Sequence, residues 1–164
     1  MRLQEQDSPT NKITVMTIII LTILIIFTAP LASQETQISF TTTEGTWVSL
    51  DVAPDGKSLV FDLLGDVYAL PLDGGRAHPV LTGRAFQSQP RLSPNGRLIT
   101  YVSDESGTDN IWIAKADGSM PRQITNRAAS TMISPAWSVD GSEIYVTVIS
   151  LKGFSSFAEI WRFD

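Results

Sequence analysis

A four-residue turn pattern occurs three times in the chain, and its spacing constrains the fold more than any other feature. The turns are residues 53–56 (APDG), 93–96 (SPNG) and 138–141 (SVDG), whose glycines are 40 and 45 residues apart. A short polar residue before glycine favours a tight turn, because its side chain can bond the backbone and glycine accepts positive φ. Recurrence at this period indicates a repeat architecture.

Each turn is followed by two runs of residues with the composition of buried β-strands. The first runs are Ser58–Leu63, Leu98–Val102 and Glu143–Ile149. The second runs are Asp66–Leu70, Asn110–Ala114 and Glu159–Phe163, each with an aromatic residue in third place. Val, Ile and aromatic residues favour strands. We therefore predict a strand pair in every repeat, with a link that lengthens from the first repeat to the third.

Two further segments complete a count of four strands per repeat. Short runs end at Leu81-Thr82 and Ile124-Thr125, and the runs Gln89–Leu92 and Ser134–Trp137 lead into the next turn. Four antiparallel strands in 40 to 45 residues are typical of a β-propeller blade, whose two apolar faces pack between neighbouring blades. The predicted fold class is all-β, an incomplete β-propeller with about three four-stranded antiparallel blades.

The repeats also predict the domain boundaries, with a propeller segment at residues 37–164. Its parts are blade one at 47–82, blade two at 89–125, a truncated blade three at 134–164 and an outer strand at 37–42. In a complete ring that outer strand would close the circle by joining the last blade. Because propellers typically have four to eight blades, we predict that the chain is a piece of a longer protein.

An apolar run precedes the repeats. From Ile13 to Phe27 only threonines interrupt a string of Ile, Leu, Val and Met, and small residues with a proline follow at 29–33. This order is typical of an export signal. We predict that residues 1–33 are a signal peptide cleaved after Ser33, or an uncleaved anchor whose hydrophobic helix, residues 13–32, would be about 30 Å long. The predicted location is periplasmic or extracellular, with membrane attachment only through an uncleaved anchor.

Charge and reactive residues narrow the functions further. Residues 34–164 carry 10 Lys or Arg against 15 Asp or Glu, which excludes a basic nucleic-acid footprint. With no Cys and only His78, the chain cannot assemble a disulfide framework, a zinc cluster or a His-rich metallohydrolase centre. It also lacks a Gly-x-Ser-x-Gly nucleophile motif. We predict no catalytic, cofactor-binding or metal-binding residues and no cofactor.

Three features that invite a functional interpretation have a structural one that we prefer. The oxygen-bearing residues of Ser103–Asn110 suggest calcium, but their spacing is not that of an EF-hand, and they suit a hairpin loop. His78 precedes Pro79, which favours a solvent-facing strand position. Trp112 and Trp161 occupy equivalent repeat positions, so we predict that they pack between blades.

The second repeat resembles the TolB-type propeller repeat. The residues that carry the resemblance are the turn Ser93–Gly96 with Tyr101–Asp104, Gly107, Asn110–Trp112 and Ala116–Gly118. Nearly all of residues 37–164 share it. More narrowly, Phe40–Trp47 and Phe61–Tyr68 resemble the N-terminal propeller of exported bacterial amidohydrolases. The same repeat also marks the propellers of tricorn-type and prolyl-oligopeptidase-type proteases.

This resemblance implies a non-catalytic scaffold that shapes access to, or docks, a separate catalytic domain. The partner would be a C-terminal catalytic domain of the same parent, a metal-dependent hydrolase, or another protein. Two alternatives stay open: a periplasmic TolB-like protein-binding propeller and the gating propeller of a serine peptidase. Against the first, only thirteen residues separate Ser33 from Trp47, too few for the α/β domain that precedes the blades in the TolB pattern.

Overall fold

The computed structural model describes residues 41–42, 44–127, 130–152 and 155–164, and all secondary structure in these ranges is β-strand. The predicted leader at 1–33 and Gln37–Phe40 of the predicted outer strand lie outside the described residues. Thr41 and Thr42 are described and belong to no strand. None of the described segments forms a helix long and apolar enough to cross a membrane.

The strands form three antiparallel sheets, which confirms the all-β fold class and the four-stranded blades. The first sheet contains, in chain order, β1 (Leu50–Val52), β2 (Ser58–Leu63), β3 (Asp66–Pro71) and β4 (His78–Leu81). The second contains β5 (Gln87–Leu92), β6 (Leu98–Ser103), β7 (Asn110–Lys115) and β8 (Arg122–Gln123). The third contains β9 (Ser130–Trp137), β10 (Ile144–Lys152) and β11 (Ser155–Phe163). We call these sheets blades one, two and three.

The repeated turns join the first two strands of each blade and have one geometry. In each, the glycine N–H donates to the carbonyl oxygen three residues earlier at 2.8–2.9 Å, and the glycine φ lies between 67° and 73°. The preceding polar side chain accepts the N–H two residues further on at 3.0–3.1 Å. These polar residues are Asp55, Asn95 and Asp140. Their predicted role in turn geometry is therefore confirmed.

Successive turns also touch one another. A Cβ built on Gly96 would lie 3.7 Å from Cδ of Pro54, and one built on Gly141 would lie 3.3 Å from Cδ of Pro94. The proline ring of one turn thus rests against the glycine of the next. Val139 replaces proline in the third turn and is 97% exposed.

The hydrophobic core lies between the blades. The cluster between blades one and two consists of Val60, Val67, Ala69, Leu81, Ile99, Tyr101 and Ala114. The cluster between blades two and three consists of Val102, Ile111, Met132, Ile144, Val146 and Val148. Trp112 packs against the first cluster and Trp161 against the second, as predicted. Since each buried aliphatic side chain contributes about 1.5–3 kcal/mol, these faces hold neighbouring blades together.

Several strand boundaries differ from the sequence prediction: β5 starts at Gln87 rather than Gln89, β9 starts at Ser130 rather than Ser134, and β8 ends at Gln123 rather than Thr125. Blade one starts at Leu50 rather than Trp47, because Trp47 has a φ of 61°, which a β-strand does not adopt. In blade three, β10 and β11 have nine residues each, so Ser150 pairs with Phe157 where a link was predicted. The added length of the third repeat is therefore paired strand rather than loop.

Candidate functional site

A cavity opens beside the first strands of the three blades. β1 contacts β5, and β5 contacts β9, so these strands are neighbours along one side of the stack. The cavity has a volume of about 690 Å³ and is lined by residues of all three blades. Its polar floor includes Ser49, Asp62, Gln89, Arg91 and Ser134. We call it the inner-strand cavity.

Asp62 links blades one and two at the floor of this cavity. It lies in β2 and is only 7% exposed. Its Oδ1 accepts the N–H of Ser49 at 2.7 Å, and its Oδ2 accepts the N–H of Gln89 at 2.7 Å. Both carboxylate oxygens are thereby used on backbone donors from different blades, and such charge-assisted bonds are among the stronger ones in proteins.

Gln89 and Ser134 extend this connection to blade three. Their φ angles are 54° and 55°, each is followed by a buried proline, and both lie where the strand register shifts. A bulge of this kind turns a side chain away from the regular pleat. The Gln89 Oε1 accepts the N–H of Ser134. The floor therefore runs from Asp62 through Gln89 to Ser134, with one residue from each blade.

Arg91 supplies the positive charge of the floor. Its Nη1 donates to Ser49 Oγ at 3.1 Å and to the carbonyl oxygens of Leu50 at 3.2 Å and Pro90 at 2.7 Å. The Arg91 carbonyl oxygen accepts the indole N–H of Trp137 at 3.1 Å. These contacts hold the guanidinium in place and join β5 to β1 and β9.

Four exposed apolar side chains line the cavity, of which Val48, at 41%, is the least exposed. Trp47 is 99% exposed, Leu64 71% and Phe86 58%, and we call these residues the apolar rim. They lie at the end of the sheets where β2 turns into β3, opposite the repeated turns. A Cβ on Gly65 would lie 2.9 Å from Cδ2 of Phe86, so the ring rests closely on that turn.

The hydrogen bonds of Phe86 fix its position. Its N–H donates to Asp104 Oδ1 at 2.7 Å, and the next residue, Gln87, donates its N–H to the Gly65 carbonyl oxygen at 2.8 Å. Exposed apolar side chains beside a cavity are typical of a surface that binds a partner. The rim therefore combines an open apolar surface with a rigid backbone.

Ser103–Asn110 connects β6 to β7 as the predicted hairpin loop. Asn110 is 1% exposed, its Oδ1 accepts from Thr125 Oγ1 at 2.8 Å and from the Arg127 N–H at 3.0 Å, and its Nδ2 donates within the loop. His78 is exposed in β4, as predicted. Across the described ranges, three or more His, Cys, Asp or Glu side chains are nowhere grouped to hold a metal ion.

The residues that form the cavity floor were not predicted from the sequence. The available signal for Asp62 was a carboxylate inside the apolar run Ser58–Leu63, since a buried charge requires partners. For Gln89 and Ser134 the signal was a polar residue before proline in the first strands of blades two and three. The apolar rim had no local signal, because its residues come from two blades.

No model of a known protein family matches the chain. The chain is 29% identical over 108 residues to Tricorn protease homolog 1 of Streptomyces coelicolor, which covers 66% of this chain and 10% of that protein. A solved structure of a putative TolB from Agrobacterium tumefaciens superimposes with a TM-score of 0.57 at 23% identity, over 71% of this chain and 50% of that one. TolB from Acinetobacter baumannii gives a TM-score of 0.58 at 22% identity, over 73% and 30%.

The chain has a TolB-like β-propeller fold. The resemblance of the repeat to the TolB type is thus confirmed at the level of the fold. This TolB-like propeller spans half or less of each of these three proteins.

Proposed function

We propose that the chain is the non-catalytic propeller scaffold of an exported, metal-dependent amidohydrolase-like protein. In this role it docks a separate catalytic domain at the apolar rim and shapes the route by which substrate reaches it. The observation that carries the proposal is the rim itself, three exposed apolar side chains around the mouth of the inner-strand cavity.

Burial of the rim would provide the binding energy. Covering a large apolar side chain contributes about 1.5–3 kcal/mol, and Trp is enriched among the residues that dominate interface energetics. Trp47 and Phe86 line the same cavity, so a single partner surface would cover both. The polar floor, already bonded internally, would stay in place as the partner docks.

The amidohydrolase part of the proposal is supported by where the narrower resemblance falls. The segment Phe40–Trp47 carries that resemblance, and its last residue belongs to the rim. The metal ligands of the catalytic domain would come from outside this chain, whose single histidine, His78, is exposed on a strand of blade one. Export rests on the apolar run before residue 33.

A second candidate is the gating propeller of a peptidase. The observation that favours it is the 29% identity to a tricorn protease homolog over 66% of this chain. Both candidates assign this chain the same non-catalytic role, and they differ in the domain that the rim contacts.

Site-specific photocrosslinking tests the proposal in cells that express the natural full-length gene product. A benzoylphenylalanine residue would replace Trp47 in one variant and Phe86 in another. Val139 is the matched control position, because it is 97% exposed, apolar and at the opposite end of the sheets. We expect positions 47 and 86 to crosslink to peptides of a metal-dependent hydrolase domain, and position 139 not to.

Other outcomes would contradict this assignment in different ways. Crosslinks to a serine peptidase domain would favour the second candidate, and crosslinks to a separate non-enzymatic protein would favour the TolB-like alternative. Equal crosslinking at all three positions, or no crosslinking at positions 47 and 86, would show that the rim is not a docking surface. In parallel, we expect the purified chain to hydrolyse no amide or ester substrate with added divalent metal.

A further inference from the structure

One side of blade three has no neighbouring blade in the described part of the chain. In β10, every second side chain from Ile144 to Val148 packs toward blade two. Because successive side chains of a strand point to opposite faces, Tyr145 points the other way and is 38% exposed. Ile160 of β11, which pairs with Thr147 on this same side, is 78% exposed. We call this side the outer face of blade three.

The repeat shows that blades bury this kind of face against one another. Tyr145 stands four residues after the repeated glycine, and Ile160 pairs with the residue two positions beyond Tyr145. In blades one and two the equivalent residues are only 0–3% exposed. They are Val60 and Val67 in blade one, and Thr100 and Ile111 in blade two. The outer face of blade three therefore exposes side chains at positions that are interblade contacts elsewhere in the chain.

Blade one has an open face on its opposite side. Phe61 and Tyr68 stack there with their ring centroids 5.8 Å apart, and Val52 is 47% exposed. In blade two, the residue equivalent to Phe61 is Tyr101, which is 1% exposed, and the residue equivalent to Val52 is Leu92. Both pack in the cluster between blades one and two. This outer face of blade one is thus the counterpart of the surface through which blade two contacts blade one.

The repeated turns have the same two open positions. Where successive turns touch within the chain, the proline ring of one turn rests against the glycine of the next. In the third turn Val139 occupies the proline position and is 97% exposed. In the first turn a Cβ built on Gly56 would have no atom within 4 Å. The series therefore begins at an uncovered glycine and ends at an uncovered apolar side chain, which are the two halves of the contact that joins the other turns.

The number of blades indicates what covers these faces. Propellers typically close with about four to eight blades, so two copies of a three-bladed chain fall within that range and three copies fall outside it. The chain covers 50% of the solved structure of the putative TolB from Agrobacterium tumefaciens, so two copies would match its full length. A contact between unlike faces closes into a ring when the rotation that relates the copies closes.

We propose that two copies of this chain associate head to tail, with the outer face of blade three in each copy packed on the outer face of blade one in the other. Val139 of one copy then lies against Gly56 of the other, and Ile160 becomes buried. The second copy takes the place that a further blade of the same polypeptide would otherwise fill. None of these residues belongs to the apolar rim, so failure of this contact would leave the docking function of the rim standing.

Cysteine crosslinking tests the arrangement, because the natural chain has no cysteine. Full chains with Val139→Cys and full chains with Gly56→Cys are co-expressed under different affinity tags and treated with a short bismaleimide. Gly107→Cys replaces Gly56→Cys in the matched control. Both glycines have positive φ, at 92° and 67°, and open space around the Cβ, but Gly107 lies in blade two. Association through the apolar run at residues 13–27 would crosslink both pairs equally.

We expect the 139–56 pair to form a two-chain species at least about tenfold more efficiently than the 139–107 pair. A chain that carries both Val139→Cys and Gly56→Cys should give two-chain species alone, because a closed ring has no free face. A ladder of larger species would indicate an open filament and overturn the closed ring. Equal crosslinking of both pairs, crosslinking between two Val139→Cys chains, or no crosslinking at about 100 μM chain would overturn the head-to-tail contact.

A surface variant connects the crosslink to the outer face of blade three. Ile160→Asp places a charge where the contact buries an apolar side chain, so the 139–56 crosslink should fall at least about tenfold. Ile160 is 78% exposed in the single chain, and unchanged tryptophan fluorescence would show that the blade still folds. Met120→Asp is the matched control, because Met120 is 70% exposed on blade two, which has a neighbour on each side, and the crosslink should change less than about twofold. Equal crosslinking in Ile160→Asp and the parent chain would contradict the proposal.

Discussion

Replacing Asp62 by alanine should destabilise the contact between blades one and two. The substitution removes the acceptor of the Ser49 N–H and of the Gln89 N–H, both at 2.7 Å and both in part-buried positions. It also leaves a small void in the side of β2, where the carboxylate is 7% exposed. The two inner strands would then lose their shared partner.

The magnitude follows from the two bonds. Each N–H left without a partner costs about 1–3 kcal/mol, so the loss of both bonds should lower the free energy of unfolding by about 2–6 kcal/mol. In a domain of this size, that corresponds to a decrease in Tm of roughly 8–24 °C. Asp62→Asn should have an intermediate effect, because the amide keeps one acceptor oxygen and turns an N–H group toward the other donor.

Thermal unfolding of the full chain, followed by tryptophan fluorescence, measures the change. Asp55→Ala is the control, because Asp55 is exposed and accepts a single N–H at 3.0 Å, so its loss should cost at most about 1 kcal/mol. Hydrogen exchange should show faster exchange of the Ser49 and Gln89 amides in Asp62→Ala alone. Equal Tm values for Asp62→Ala and Asp55→Ala would refute the interblade role of this carboxylate.

Three further predictions concern the turns. Gly118→Ala should lower the free energy of unfolding in chemical denaturation by more than about 3 kcal/mol, because the new Cβ would sit on a residue with positive φ and lie 1.9 Å from the Val80 carbonyl oxygen. Gly74→Ala is the control, with a φ of 94° and open space around the Cβ, and should lower it by about 1 kcal/mol. Val139→Pro should raise stability by about 0.4–1 kcal/mol, since the equivalent turn position is proline in the other blades, and an unchanged or lower Tm would contradict this. Hydrogen bonds from the Ser138 hydroxyl and then from the residue-142 N–H and hydroxyl lower the pKa of Asp140 to about 2. The contribution of Asp140 to the stability of the folded state is therefore present above the unfolded pKa of 3.8 and lost as pH falls through about 2. In an NMR titration, the chemical shift of the Asp140 carboxyl carbon should have its midpoint near pH 2. Ser138→Ala should raise that midpoint, because it removes the hydroxyl donor.

The turns and hairpins were predictable because their determinants are local. Asp55 and Gly56 fix a turn through bonds within six residues of the chain, and the apolar runs on either side need no distant partner to be identified. The nine-residue strands of blade three were not predictable in the same way. The sequence after Ile149 contains Ser, Lys and Gly, which favour loops, and only cross-strand pairing makes this segment a strand.

The inner-strand cavity was harder to predict because three repeats contribute to it. Asp62, Gln89 and Ser134 are far apart in sequence, and their contacts depend on how the blades stack. Gln89 and Ser134 also have positive φ angles, although such angles are favoured by glycine and asparagine rather than by glutamine or serine. The fold of each blade is thus a local property of the sequence, and the cavity is a property of the stack.

Because each proline ring contacts the glycine of the following turn, the two ends of the sheets differ in how well they tolerate insertions. At the turn end, Pro54 and Pro94 fix the spacing from one blade to the next. At the opposite end, the connection between the second and third strands grows from two residues in blade one to six in blade two without disturbing that spacing. Insertions can therefore accumulate on the side that carries the apolar rim, so a protein of this design can change its partner while the angle between its blades stays constant.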